Sequence, residues 1–258
     1  MAAVLNNTAK SFKALHKPGS PVVLTNVYDL LSAQAVAELP SSTALATASY
    51  AVARAAGTDD DSMDLETNLA AVKLIAKAAN DANKPLTVDI QDAYGTQLEE
   101  AINKLIDLGV VGVNLEDVDK ETQKLYSLEG AADRVRRVLA VAKARDVPDF
   151  VVNARCDVLV HGGTLEETIE RGKAYLAAGA TTVFVWGGST RGGTKREEVE
   201  ALAAAFDGRL NVSLKLADGL TIAELKKIGV ARISIGPALQ FKAMAAYGAA
   251  ADELLKQA

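Results

Sequence analysis

Apolar residues fall along this chain in two alternating rhythms. Short, nearly unbroken apolar runs recur eight times: PVVLTN (21–26), TALATAS (43–49), PLTVDI (85–90), VVGVNLE (110–116), DFVVNAR (149–155), TTVFVW (181–186), LNVSLK (210–215) and ARISIG (231–236). Such runs predict parallel strands buried on both faces. Between them the apolar positions return every three or four residues, as on one face of a helix. DLLSAQAVAEL follows the first run, MDLETNLAAVKLIAKAANDA the second and TQLEEAINKLIDLG the third. EGAADRVRRVLAVAKARD, TLEETIERGKAYLAAG, KREEVEALAAAF and TIAELKKIG fill the next four gaps. Thr164 and Glu167 have the spacing of a capping box, and Gly109, Gly179 and Gly229 stand where helices end.

Eight strand–helix units in 258 residues predict one (β/α)8 TIM barrel spanning residues 1–258, in preference to a doubly wound open sheet. TAKSFKALH near the N-terminus predicts a helix over the barrel bottom, and a last helix is expected over about 237–256. The longest connection without a plain helical pattern is YAVARAAGTDDDS, 50–62, and long loops in compact domains are often active-site lids.

Composition narrows the partners. The formal charge is −5, which gives no basic footprint for nucleic acid. MAAVLNNTAKSFKALHK holds no apolar run of the length a signal peptide or membrane span needs. The single Cys156 rules out an intrachain disulfide and suits a reducing compartment. A cytoplasmic protein without nucleic-acid or membrane partners is expected.

Barrel enzymes carry their chemistry where the strands end. The first run ends in Asn26 with Tyr28 and Asp29 beyond it, and the second in Ser49 and Tyr50. The third gives Asp89, Gln91 and Asp92; the fourth Asn114, Glu116 and Asp117; the fifth Asn153, Arg155 and Asp157. Trp186 with Gly187 and Gly188 closes the sixth, Asn211, Ser213 and Lys215 the seventh, and Ser234 and Gly236 the eighth. Oxygen ligands from several elements, with positions left for water, are what Mg²⁺ requires. An arginine beside them suits bidentate recognition of a carboxylate or phosphate. Asp89, Glu116 and Arg155 thus predict a small anionic substrate chelated to Mg²⁺, with the metal stabilising charge on an enolate oxygen. His16 is assigned to the surface and His161 to a loop near the rim; two histidines so separated make no zinc site. Cys156 reads as a buried small residue, and GGSTRGG (187–193) as a weak phosphate cradle. Lys215 keeps a Schiff-base reading open.

NVYDLLSA, GTDDD, VDIQDAYG, GVNLED, FVVNARCD, AYLAAGATTVFVWG and RISIGPAL together resemble the isocitrate lyase/phosphoenolpyruvate mutase superfamily over nearly the whole chain. That resemblance implies a Mg²⁺-dependent barrel acting on α-oxo acids, cleaving or rearranging a C–C or C–P bond through an enolpyruvate-like intermediate. It implies that Asp89 is the direct metal ligand and that Gln91, Glu116 and Asp60 hold the metal's waters. Asp60 would also sit near the reacting centre, with Glu116 and Arg155 completing the catalytic set and Arg155 holding the substrate carboxylate. Tyr28, Ser49 and Tyr50 fall near segments that bind the oxo-acid end, Asn211 matches a further substrate contact, and Trp186 is read as pocket lining. A homotetramer with exchanged C-terminal helices is also implied.

The chain departs from the family pattern in two places. Gln91 stands where an acid is usual. After Glu116-Asp117, VDKETQKLYSLEGAADRV contains neither the Lys-x-Cys-Gly-His loop of the lyases nor the asparagine loop of the mutases. The expected function is a C–C lyase or hydrolase of a small 2-oxo- or hydroxy-dicarboxylate. Phosphonomutase-type C–P chemistry and a non-catalytic oxo-acid-binding relative are the alternatives.

Overall fold

A computed structural model describes residues 2–257. The chain opens with α1 (Ala2–Ala14), then β1 (Val22–Leu24), β2 (Asn26–Val27), α2 (Leu30–Ala37), β3 (Leu45–Thr47), α3 (Ser49–Ala55), α4 (Leu65–Asp81) and β4 (Leu86–Asp89). It continues through α5 (Leu98–Asp107), β5 (Gly112–Glu116), β6 (Val118–Asp119), β7 (Lys124–Leu125), α6 (Leu128–Ala144) and β8 (Val151–Cys156). The last third is α7 (Leu165–Ala177), β9 (Thr182–Val185), α8 (Arg196–Ala205), β10 (Leu210–Ser213), α9 (Ile222–Ile228), β11 (Arg232–Ser234) and α10 (Ala238–Leu255).

Parallel pairing runs in the order β1-β11-β10-β9-β8-β5-β4-β3-β2. Its two ends, β1 and β2, are halves of the first apolar run, so the sheet closes into the expected TIM barrel. β1 pairs with β11 and β2 with β3. Asn26 bridges the seam. Its side-chain amide donates to Thr47 O at 2.7 Å, and its Oδ1 accepts from the backbone N–H groups of Ile235 and Gly236 at 2.9 and 2.8 Å.

Asp29, Asp64, Ser127, Thr164 and Thr221 cap α2, α4, α6, α7 and α9 by accepting backbone N–H groups of the first turn. Gly109, Gly179 and Gly229 follow α5, α7 and α9 at positive φ, where a Cβ would be strained. α1 closes the barrel bottom. Its Phe12 is fully buried, and a Cβ on Gly112 would come within 3.2 Å of that ring and 2.9 Å of Val151. Only glycine lets the helix seat this deeply.

Three expectations change, and one segment without an assignment takes form. The second run stops at Thr47, and Ser49 and Tyr50 open α3, so the front half of the 50–62 connection is helical and the lid proper is 56–64. The segment after Glu116 is an antiparallel β6–β7 hairpin, turned by Asp119 accepting the N–H groups of Glu121 and Thr122, both at 2.9 Å. His16 is not a surface residue. It stacks edge-on against Phe12 at 4.8 Å, and its proton affinity is pulled down to about 3 by burial and then by the positive charge of Arg232. Lys215 lies past the end of β10, exposed against Gly193.

α10 stands apart from the core. Gln240, its one buried residue, donates to Ala51 O at 2.8 Å, while Phe241, Met244 and Tyr247 are exposed. No described helix is long and apolar enough to cross a membrane.

Candidate active site

The barrel interior is unusually polar for a β core. A relay of amides and hydroxyls crosses it from β9 to β4. The Thr182 hydroxyl donates to Asn153 Oδ1 at 2.6 Å, Asn153 Nδ2 to Asn114 Oδ1 at 2.8 Å, and Asn114 Nδ2 to Asp89 Oδ1 at 2.9 Å. The other oxygen of Asp89 accepts the Ser49 backbone N–H at 2.9 Å. Both carboxylate oxygens are thereby aimed, and Asn68 fixes the Asp89 carbonyl at 2.9 Å.

The chain leaves Asp89 through a left-handed turn. Gln91, Ala93 and Tyr94 have φ of 52°, 60° and 57°, and Gly95 has 64°. Non-glycine residues in this region are strained and persist only when their surroundings hold them there. Asp92 supplies part of that hold, accepting from Tyr94 N, Gly95 N, Lys120 N and Tyr126 OH. Buried Arg134 supplies the rest, donating to the carbonyls of Asp92 and Gly95 from above the Tyr126 ring. Asp92 is thus a structural group of the turn.

That turn directs Gln91 at the lid. Gln91 Nε2 donates to the backbone and side-chain oxygens of Asp60, at 2.7 and 3.0 Å. Its Oε1 accepts from Lys120 Nζ at 2.8 Å. Lys120, on the β6–β7 turn, also donates to Met63 O. Both polar ends of Gln91 are therefore engaged in pinning the lid; the role implied for it by resemblance was to hold the metal's waters. Of the three consecutive aspartates only Asp60 lines the cavity, while Asp59 and Asp61 are exposed. The Asp60 carboxyl is pushed up to about 6 by burial and then by the negative charge of Asp89, against the opposing pull of Ser49, Arg155 and Lys120.

On the facing wall, Arg155 is held on three nitrogens. Nε and Nη2 meet the two oxygens of Asp157 at 2.8 and 2.9 Å, and Nη1 meets Glu116 at 2.7 Å. Its guanidinium lies 4.1 Å from the centre of the Trp186 ring. Burial alone would favour loss of its charge, but Asp157 and Glu116 outweigh it and keep Arg155 protonated. Burial pushes the Glu116 carboxyl well above its usual range, Arg155 pulls it back, and Asp89, Asp157 and Asp60 push it further up.

These groups border a cavity of about 370 Å³ at the C-terminal mouth of the barrel. Of the sequence-predicted residues, Ser49, Tyr50, Asp60, Asp89, Arg155, Trp186 and Asn211 line it. Glu116 stands behind Arg155. Tyr28 is not brought to the cavity: it packs with Val52, Ala53 and Met63 beneath the lid. His161 is exposed, and Cys156 is buried with its thiol held protonated by burial and then by Asp117. The glycine-rich 187–193 loop folds on itself, with a Cβ on Gly187 meeting the Gly193 backbone at 2.1 Å. Sequence reasoning missed Phe184, Phe241 and Arg232, all of which line the cavity, and Lys120. For Arg232 a signal existed: a charge in phase with Ser234 inside an apolar strand run must point into the barrel.

Among the described residues no three His, Cys, Asp or Glu side chains are gathered closely enough to form a metal cage. The mutual repulsion of Asp60 and Asp89 still marks a wall short of positive charge. Asp89, with oriented oxygens and open cavity before it, fits a hard divalent cation that takes one carboxylate and keeps its waters.

Comparison with known proteins agrees with this geometry. The model of the phosphoenolpyruvate phosphomutase family matches residues 12–255. An uncharacterised protein of Mycobacterium tuberculosis H37Rv is 33% identical over 230 residues, covering 88% of this chain and 81% of that one. The crystal structure of a candidate phosphonomutase from Burkholderia cenocepacia J2315 superposes with a TM-score of 0.86 at 35% identity, covering 96% of this chain and 99% of the other. That of 2,3-dimethylmalate lyase, described as a PEP mutase/isocitrate lyase superfamily member, gives 0.83 at 26% identity, covering 96% and 87%.

Proposed function

Since the chain belongs to the phosphoenolpyruvate phosphomutase family, within a superfamily of lyases and mutases, we propose that it is a Mg²⁺-dependent lyase or hydrolase. In this reading it breaks a C–C bond of a small 2-oxo- or hydroxy-dicarboxylate through an enolpyruvate-like intermediate. The observation that carries the reading is the placement of Asp60: a half-buried lid carboxyl that lines the same cavity as Asp89 and Arg155 and is held there by Gln91. A carboxyl so held is positioned to give or take a proton at a ligand bound on Asp89, as a general acid or base must. Mg²⁺ bound at Asp89 would supply Lewis-acid stabilisation of negative charge on the oxo-acid oxygen.

The chain's own residues do the rest. Arg155 keeps unused N–H groups beyond those given to Glu116 and Asp157, and these can take the substrate carboxylate. Trp186 and Phe184 wall the cavity on that side and exclude water. Gln91 and Lys120 hold the lid so that Asp60 stays over the reacting centre. The exposed apolar side chains of α10 support a further part of the proposal, assembly of copies into a homotetramer, which sedimentation velocity would test.

The test is turnover on a panel of oxo- and hydroxy-dicarboxylates and phosphonates, in Mg²⁺ and in EDTA. The reading expects C–C cleavage that EDTA abolishes, and Asp89→Ala folded but unable to bind the metal. Full activity in chelator would reject it. The 35% identity to the candidate phosphonomutase supports a second reading, C–P chemistry, and a phosphonate turned over in preference to every dicarboxylate would favour it. Metal-dependent binding with no product from any compound would favour a non-catalytic oxo-acid binder.

A further inference from the structure

Arg232 begins β11, in register with Asn211 on one side and Val22 on the other, and lines the cavity floor. It is 3% exposed. Its Nε and Nη1 are buried without any hydrogen-bond partner, and among the described residues it joins no ion pair. A guanidinium taken out of water in this state is disfavoured, and burial pulls its proton affinity down to about 9, opposed only by Asp89. His16 at the barrel bottom is held neutral and brings no charge to offset it.

Its neighbour on β10 shares this lack of partners: Asn211 Oδ1 is buried and unbonded. Ser234 Oγ accepts from Asn211 Nδ2 at 3.2 Å, which leaves the serine proton to donate elsewhere. The other arginine of the cavity differs in this respect: Arg155 is already matched by Glu116 and Asp157. The cavity thus has an acidic wall at Asp60 and Asp89 and an uncompensated cation in its floor.

We propose that Arg232, with Ser234 and Asn211 beside it, is an anion subsite, and that the ligand carries two anionic groups: one at the rim, where Asp89 and Arg155 lie, and one on Arg232. This deepens the proposed function and rests on it for the rim end. The floor group is a carboxylate or a phosphonate, since both offer oxygens that match the guanidinium fork.

Calorimetry on the full chain separates these cases. Malate is compared with lactate, and phosphonopyruvate with pyruvate, each in Mg²⁺ and in EDTA. The wild type binds one dianion at least roughly thirtyfold more tightly than its one-anion partner, the scale expected for a buried charge contact. Arg232→Met abolishes that preference and leaves lactate and pyruvate within about twofold; Arg232→Lys retains part of it. Whichever pair shows the effect identifies the floor group. Removing an unpaired buried charge should not unfold the barrel, and circular dichroism checks this; should Arg232→Met unfold, Arg232→Gln carries the same comparison. A variant that weakens both members of each pair equally, or neither, overturns the subsite. A preference that depends on Arg232 but not on Mg²⁺ keeps the subsite and removes the lyase reading. Mg²⁺-dependent binding indifferent to Arg232 does the reverse, and no binding to the wild type in either condition removes both.

Discussion

Replacing Asp60 by Asn should stabilise the metal-free protein while destroying its activity. The folded chain raises the Asp60 carboxyl from 3.8 to about 6, so ionised Asp60 is less favourable in the fold than in the unfolded chain. Two pH units correspond to about 3 kcal/mol, and allowing for the part of the group that water reaches leaves about 2 kcal/mol. The direction with pH is fixed. Because the folded-state value lies above the unfolded one, the folded form binds more protons between about pH 4 and pH 6, and its stability falls as pH rises through that window. Asn carries no charge, and its Oδ1 can still accept from Gln91 Nε2, which donates to Asp60 at 3.0 Å. Asp60→Asn should therefore match the wild type below about pH 4 and exceed it by about 2 kcal/mol above pH 7. For a chain of this size that is roughly 4–8 °C in melting temperature. Differential scanning calorimetry in EDTA, from pH 4 to 8.5, reads this directly. Mg²⁺ should then narrow the gap by stabilising the wild type more than the variant. A variant no more stable at pH 8, or a gap independent of pH, would refute the argument that Asp60 is held against the repulsion of Asp89.

Three further outcomes are expected. Asp60→Asn should cut kcat at least roughly a hundredfold, the scale of a lost general acid or base, while Asp59→Asn and Asp61→Asn at the exposed positions change it little. Lys120→Met removes charge-assisted bonds to Gln91 and Met63, so lid amides 57–63 should exchange with solvent about tenfold faster while core amides do not. Arg134→Met leaves the Asp92 and Gly95 carbonyls without their donor and should lower stability by about 2–4 kcal/mol, seen as a shift in the urea midpoint.

Much of the fold was legible because parallel strands buried on both faces announce themselves as unbroken apolar runs, and all eight runs became barrel staves. Asp89 and Arg155 were legible for the same reason, since a charge at the end of such a run points into the mouth. What escaped depended on partners distant in sequence. The break at Thr25 exists because Asn26 bonds to Thr47, Ile235 and Gly236 across the seam. The β6–β7 hairpin depends on one aspartate turn in a polar stretch with no alternation to reveal it. Tyr28 follows the first run closely, yet packs under the lid with Val52 and Met63, because the short α3 brings an apolar face there. Arg232 stands where a strand begins, away from the strand ends at which barrel chemistry is expected, so its place in the cavity depends on the depth to which the mouth reaches.

The left-handed turn after Asp89 bears on the routes by which this sequence can change. Ala93 and Tyr94 hold backbone conformations tolerable only while Asp92 and Arg134 grip the turn. A substitution at Arg134 therefore costs more while alanine and tyrosine occupy those positions than once glycine does, although the Asp92 and Gly95 carbonyls lose their donor either way. Ala93→Gly alone would relieve about 1 kcal/mol of strain but loosen the turn that aims Gln91 at Asp60. The sites are epistatic: the loss of the arginine is milder after glycine at 93 than before it. A lineage taking that order trades a stiff wall behind Asp89 for a pliant one in two smaller steps.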